Sequence, residues 1–279
     1  MKLTFLGTGA ADWDINAYDP ASEFRRFSSA LVNDDLLIDP GPHIFHFARS
    51  AGKPELFDNV KNIIVTHTHN DHFWPDTVKL LCCGRSVKLW GDPACMKKLK
   101  AALGDEVASK IDFNAIPVSR DPYRIGDYNI WSLRSNHQGD YWDEDTRLYL
   151  IEGVDLPDPS LPDGVLPVAD VRMLYYGCDS AWIPTQSWNV IKEKPVNAMV
   201  MELTCGVPAP NDWRIFEHNT LEMLKLMLET FRKYRYFSPD VRFYTSHMAR
   251  TLHSSHTQLV KELEPLGVTP AFDGMVIDV

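Results

Sequence analysis

Several things are scarce in this chain, and each scarcity excludes a class of protein. No apolar run among the 279 residues is long enough to span a bilayer, and Met1-Lys2-Leu3-Thr4-Phe5-Leu6-Gly7 reads as a strand entering a turn, too short in apolar length for a signal peptide. Cysteine is sparse and odd in number: five residues, Cys82, Cys83, Cys95, Cys178 and Cys205, with no C-x-x-C pair. That argues against a disulfide scaffold or a cysteine zinc site and for reduced thiols, so a cytoplasmic location is expected. Basic charge is in deficit, with 28 Lys and Arg against 38 Asp and Glu and a net charge of −10. A nonspecific grip on nucleic acid or on an anionic membrane is therefore not expected. No short repeat and no linker divides the sequence, so one domain over residues 1–279 is expected. Its 44 % hydrophobic content is ample for a sizeable core.

What the chain does have is concentrated at Asn62-Ile63-Ile64-Val65-Thr66-His67-Thr68-His69-Asn70-Asp71-His72. A short β-branched run reads as a buried strand, and it stops abruptly in three histidines and an aspartate. Alternate residues of a straight strand face opposite sides, so these four side chains cannot all reach one ion from it. On a curled loop they can divide, one pair to each of two neighbouring metals. Imidazole with carboxylate suits zinc, iron or manganese rather than calcium.

The remaining pattern is mixed. Strands are expected at 3–6, at two segments within 28–39 around Asn33-Asp34-Asp35, and near 87–90, 113–118, 128–135, 147–152, 172–176, 198–201, 241–245 and 275–278. Helices are expected near 43–51, 75–80, 93–103 (capped by Asp92, with Pro93 first), 185–192, 220–233 and 256–263. Asn219 with Glu222 and Ser255 with Gln258 read as capping boxes. Gly7-Thr8-Gly9 lacks the rest of a nucleotide-binding motif and reads as a tight turn. Residues 10–27 read as a loop on the side of the active site, and 153–170, rich in Pro and Asp, as a surface loop. Three further polar residues stand where apolar runs end: His137 after 130–136, Asp179 after 173–178 and His247 after 242–246. Side chains at the carboxyl ends of strands converge on one rim. This pattern alone gives a mixed α/β domain.

His67-Thr68-His69-Asn70-Asp71-His72 is similar to the H-x-H-x-D-H signature of the metallo-β-lactamase-fold hydrolases. The resemblance implies an αββα sandwich of two mixed sheets flanked by helices, and a centre of two divalent ions, zinc or manganese, with iron also admitted. By resemblance His67, His69 and His137 look like ligands of the first metal, and Asp71, His72 and His247 like ligands of the second. Asp179 looks like the carboxylate bridging both. Two such ions lower the pKa of a bridging water and offset charge that builds in a transition state. Asp39 looks like an acceptor orienting a ligating imidazole, with a plain helix cap as the competing role. His218 resembles the non-ligand histidine that serves phosphodiesterases of this superfamily as general acid, and with Asp71 completes the expected catalytic pair. His253 and His256 are expected to face solvent, and His43 and His46 to lie in a helix without a role.

Leu6-Gly7-Thr8-Gly9, Leu37-Ile38-Asp39, Met199-Val200-Met201-Glu202 and Phe272-Asp273-Gly274-Met275 resemble one branch, the cyclic phosphodiesterase that accompanies carbon–phosphorus lyase. That branch often carries cysteines for a structural zinc soon after the first strand, and residues 10–27 have none. Arg25 and Arg26 there could meet a phosphate, but a solvated pair is the expectation. The nuclease branch that trims tRNA 3′ ends carries a Gly-rich arm where this chain has 153–170, with Asp155, Asp158, Asp163 and Asp170 and no Lys or Arg. Acid repels a phosphate backbone, so tRNA is a poor candidate. Trp142 beside Asp143, Glu144 and Asp145 suggests a small phosphodiester or nucleotide stacked on tryptophan. A homodimer is compatible with the resemblance. The competing class is a carboxyl-group hydrolase (thioesterase, lactonase or β-lactamase-like) on the same metals; a diiron redox protein is disfavoured because such relatives usually carry Glu where His69 stands.

Overall fold

A computed structural model gives the fold, and it describes residues 1–19, 22–154, 171–206, 213–237 and 239–279. The acidic segment expected to form a surface loop lies from residue 155 onward outside the described residues; 153 and 154 close a strand.

In chain order the strands are β1 (Lys2–Gly7), β2 (Ser29–Val32), β3 (Leu36–Ile38), β4 (Asn62–Ile64), β5 (Val87–Gly91), β6 (Ile111–Ala115), β7 (Tyr123–Ile125), β8 (Tyr128–Gln138), β9 (Asp145–Val154), β10 (Val171–Gly177), β11 (Ala198–Glu202), β12 (Arg242–Ser246), β13 (Val268–Pro270) and β14 (Val276–Asp278). The helices are α1 (Ile44–Ser50), α2 (Pro75–Leu81), α3 (Pro93–Leu103), α4 (Asp105–Ala108), α5 (Thr185–Ile191), α6 (Leu221–Tyr234) and α7 (His256–Leu263). Two seven-stranded sheets form, in the orders β14-β1-β2-β3-β4-β5-β6 and β13-β12-β11-β10-β9-β8-β7. Each has parallel pairs at one end, β3 to β6 and β10 to β13, and antiparallel pairs at the other.

Strand period decides the layers. In β3, Leu36 and Ile38 enter a core shared with Ile151, Leu174, Tyr176 and Val200 of the other sheet, while Leu37 faces the helices. In β10, Leu174 and Tyr176 point inward and Met173 and Tyr175 outward, against Ile191, Leu228 and Leu263 of α5, α6 and α7. Phe47, Val78 and Leu99 of α1, α2 and α3 cover the first sheet. The result is the four-layer αββα sandwich, with two mixed sheets flanked by helices. Of the parallel strands, central β3 (LLI) and β11 (AMVME) are buried at every position, as cover on both faces requires, whereas β5 and β6 toward the sheet edge include exposed polar residues.

Three short elements have no counterpart in the sequence pattern: β7, β13 and α4. β7 and β13 are edge strands of three residues each, and three residues carry no readable period. The α6 cap also differs from expectation by one residue. Thr220 accepts from Met223 N–H at 3.2 Å, because the Asn219 side-chain oxygen already accepts from Trp182 N–H at 2.8 Å. At α7, Ser255 does accept from Gln258 N–H, but the Gln258 side chain bonds Glu262 instead of closing the box.

One ion pair ties the two halves together. Arg147 of β9 is buried and its Nη2 donates to Oδ2 of Asp92, the residue capping α3. Breaking a buried pair leaves a stranded charge, so Asp92→Asn, which keeps the cap, is expected to lower the unfolding free energy by about 3–5 kcal/mol. Urea unfolding checks this; a loss under about 1 kcal/mol, the scale of an exposed pair, would remove the pair's structural role.

Candidate metal centre

The register of the parallel strands brings the polar residues together. Gly177, Met201 and Thr245 are paired across β10, β11 and β12, so the residues just beyond them, Asp179, Thr204 and His247, leave the sheet at one level. On the facing sheet Ile38 pairs with Ile64, so Asp39 and Thr66 emerge side by side ahead of the histidine turn. Asp39, Asp179 and His247 all adopt left-handed backbone, with φ of 56°, 58° and 58°. Asp and His tolerate this conformation better than most residues, and such strain collects at sites where position matters more than backbone comfort. Gly41 packs so tightly that a Cβ there would lie 2.5 Å from the Asp71 carbonyl oxygen, which fixes the outer end of the turn.

All seven sequence-predicted ligands converge, in two lobes sharing Asp179. In the first, His69 Nδ1 lies 2.9 Å from His67 Nε2 and 3.2 Å from His137 Nε2, and Asp179 Oδ2 is 3.3 Å from His67 Nε2. In the second, His72 Nε2, His247 Nε2 and Asp71 Oδ2 form a near-regular triangle with sides of 3.3, 3.4 and 3.4 Å. Asp179 Oδ2 closes it, 2.9 Å from His72 Nε2. Ligand atoms about 2.05 Å from a tetrahedral zinc stand about 3.3 Å apart. The separations above, from 2.9 to 3.4 Å, lie about that spacing, and the His137 Nε2 to Asp179 Oδ2 distance is longer at 3.9 Å. Neither lobe offers the carbonyl-rich donor set of calcium. The cluster therefore fits one ion per lobe, with Asp179 between them.

Electrostatics agree. Burial would raise the pKa of Asp179, but His247 and His72 hold it well below the carboxylate range, and Asp71 is depressed likewise against its own burial. Burial would lower His72, yet Asp71, Asp179 and Asp39 raise it well above the usual imidazole value; His247 is raised to about 10 by Asp179 and Asp71 against the same penalty. Burial lowers His67 well below and His137 to about 3. Buried carboxylates thus demand positive charge at this spot.

Asp39 is the acceptor anticipated for an imidazole and caps no helix: its Oδ2 is 2.8 Å from His72 Nδ1, and Thr66 donates to it through N–H and Oγ1 at 2.7 and 2.9 Å. His218 joins the cluster, its ring 4.8 Å from that of His137 and Nδ1 3.4 Å from Glu202 Oε1. Burial lowers the His218 pKa, but Glu202 and then Asp179 outweigh it and raise the net value.

Two participants were not singled out from sequence. Glu202, fully buried, accepts from Thr204 N–H at 2.8 Å and Thr204 Oγ1 at 2.5 Å; Thr204 Oγ1 in turn meets His247 Nδ1 at 2.8 Å. Glu144, also buried, holds Thr68 of the histidine turn through N–H and Oγ1 at 2.8 and 2.6 Å. The available signal for Glu202 was the one that marked Asp179, an acid ending an apolar run.

Other residues depart from expectation. Arg25 and Arg26 are neither a solvated pair nor free for a phosphate. Both are buried. Arg25 donates to Thr8 Oγ1 and the Ala271 carbonyl, each at 2.7 Å, and Arg26 pairs with Asp273 at 3.2 Å and His46 Nδ1 at 3.0 Å. His46, within α1, thus has a structural role, and His43 stands just before that helix. His253 bonds the Leu203 carbonyl and half-buried His256 contacts Arg25, so neither is a free surface histidine. Trp13 of the 10–27 segment lies beside the centre: its Nε1 donates to the carbonyl of Met248, next to His247, at 2.8 Å.

No protein-family model and no curated protein matches the sequence. Solved structures do match the fold. Zinc-bound PqqB from Methylobacterium extorquens is similar with a TM-score of 0.69 and 15 % identity, over 100 % of both chains. YhfI from Bacillus subtilis, a metallo-β-lactamase fold protein, gives 0.65 and 16 % over 99 % of each. The short form of human tRNase Z gives 0.63 and 16 % over 100 % of this chain and 99 % of the other. The chain has the metallo-β-lactamase fold.

Proposed function

We propose that this protein is a dinuclear metal-dependent hydrolase of small phosphodiesters, cyclic ones included. When bound, the two ions would supply Lewis-acid polarisation and lower the pKa of water, functions suited to hydrolysis. His67, His69, His137 and Asp179 would hold one, and Asp71, His72, His247 and Asp179 the other. The zinc in PqqB supports zinc as one occupant, and the donor set also admits manganese.

The observation that carries the phosphodiester reading is His218. It stands beside both lobes, with the His247 ring 5.6 Å and the His137 ring 4.8 Å away, yet neither lobe needs it as a ligand. Its Nδ1 is engaged by Thr204 Oγ1 at 3.1 Å and by Glu202 at 3.4 Å. That leaves Nε2 to give a proton to a departing alkoxide, a leaving group that needs one. A thiolate leaves unaided, so a thioesterase has no use for this histidine. The matching segments of the cyclic phosphodiesterase branch support the same reading. Trp142, 94 % exposed in the turn between His137 and Glu144, supports a base or ring stacked at the rim.

The test is a screen of zinc- and manganese-loaded protein against cyclic phosphodiesters, linear phosphodiesters and thioesters. Phosphodiester turnover is expected, lost on chelation and restored by metal. A preference for thioesters, or turnover that survives complete metal removal, would overturn the reading.

A further inference from the structure

The support behind the histidines of the cluster differs between the two lobes. Around Asp71, His72 and His247 the backing is buried and short. Asp39 reaches His72 Nδ1 at 2.8 Å and is itself fully buried. Thr204 Oγ1 meets His247 Nδ1 at 2.8 Å while donating its own proton to Glu202. Around His67, His69 and His137, among the described residues only His67 is held closely, by Thr66 Oγ1 at 3.0 Å. His69 Nε2 turns toward Asp140 at 3.5 Å, a carboxylate 48 % exposed, and the His69 side chain is itself 30 % exposed. Among the described residues His137 Nδ1 has no hydrogen-bond partner, and the neighbouring Glu217 carboxylate is 3.7 Å away.

Charge widens the contrast. Asp71 gives its lobe a carboxylate beyond the shared Asp179, whereas the other lobe adds only neutral imidazoles. A partner behind a ligating histidine fixes the ring and raises its basicity, and losing one typically costs 10–100-fold in metal affinity.

We propose that the two lobes bind metal unequally: the Asp71–His72–His247 lobe retains its ion, and the His67–His69–His137 lobe exchanges its ion with solution. Free metal then sets the fraction of chains carrying both ions, and with it the activity. This rests on the dinuclear reading above. Asp39, and Glu202 through Thr204, act as positioning residues for the retained ion.

The test counts metal without substrate. The full chain is dialysed against chelator-buffered zinc over a range of free concentrations, and zinc per chain is measured by elemental analysis. Two ions are expected at high free zinc, with a plateau at one ion per chain across at least about a tenfold span. His69→Ala, a change at the exposed edge, should remove the upper step and leave the lower midpoint in place. Asp39→Asn should move the lower step to roughly 10–100-fold higher free zinc. Release of both ions in one step, or a shift of the lower step by His69→Ala, would overturn the inference. Two unequal ions on a chain without phosphodiester turnover would sink the proposed function and leave this inference standing; fewer than two ions at every zinc concentration would sink both.

Discussion

Asp179→Asn is expected to lower hydrolysis by on the order of 10³-fold or more, the scale on which loss of one charge-stabilising group is felt, and to leave the protein with at most one firmly held ion. The reason lies in the reach of this carboxylate. Its Oδ2 is 3.3 Å from His67 Nε2 and 2.9 Å from His72 Nε2, so it serves both lobes, and its Oδ1 is 2.9 Å from His247 Nδ1. An asparagine keeps the shape but carries no charge and replaces one oxygen by an NH₂ that cannot ligate. Two dications close together need that shared negative charge, and a neutral amide leaves their repulsion uncompensated. The measurement is metal content beside turnover of bis(p-nitrophenyl) phosphate. Full turnover with two ions retained would remove Asp179 as the bridge and dissolve the two-lobe arrangement.

The convergence of the candidate ligands was legible because each stands at or past the end of an apolar β-run, and a parallel strand delivers its last residue to the carboxyl rim of the sheet whatever the rest of the chain does. His67 to His72, Asp179 and His247 obey that rule after β4, β10 and β12, whereas His137 is the penultimate residue of β8, which pairs antiparallel on both sides. Asp39 obeys it too, but its role depends on Ile38 lying opposite Ile64, and sequence does not give register. Glu202 ends Met199-Val200-Met201 in the same way. Its burial, and its relay through Thr204 to His247, exist only because β12 lies beside β11. Arg25 and Arg26 show the opposite failure. Adjacent arginines in a polar loop read as solvated, yet Asp273, more than two hundred residues on, claims Arg26 and the neighbouring Ala271 carbonyl claims Arg25. Capping failed more locally. Asn219 and Thr220 are both good caps by chemistry, and the choice was made by Trp182 N–H taking the Asn219 side-chain oxygen. In each case the missing information was a contact distant in sequence, not a local preference.

His218→Ala is expected to split substrates by leaving group. For an alkyl phosphodiester or a cyclic phosphate, whose alkoxide needs a proton as it departs, kcat should fall roughly 10²–10⁴-fold, the usual contribution of a positioned general acid. For a p-nitrophenyl ester, whose phenolate leaves as the anion, the fall should be several-fold at most. The proposed role predicts this selectivity because His218 touches the cluster from outside: its Nδ1 is 4.0 Å from Asp179 Oδ1 and is held toward Glu202 and Thr204, while the Asp71–His72–His247 triangle closes without it. Metal content should therefore stay at the wild-type value, which separates a lost proton donor from a damaged centre. Glu202→Gln loosens His218 without deleting the ring and also weakens the support of His247 through Thr204, so with metal held saturating a smaller loss with the same leaving-group dependence is expected. Equal losses on both kinds of ester, with metal content intact, would show that His218 moves no proton in the reaction and would return the thioester and lactone reading to equal standing.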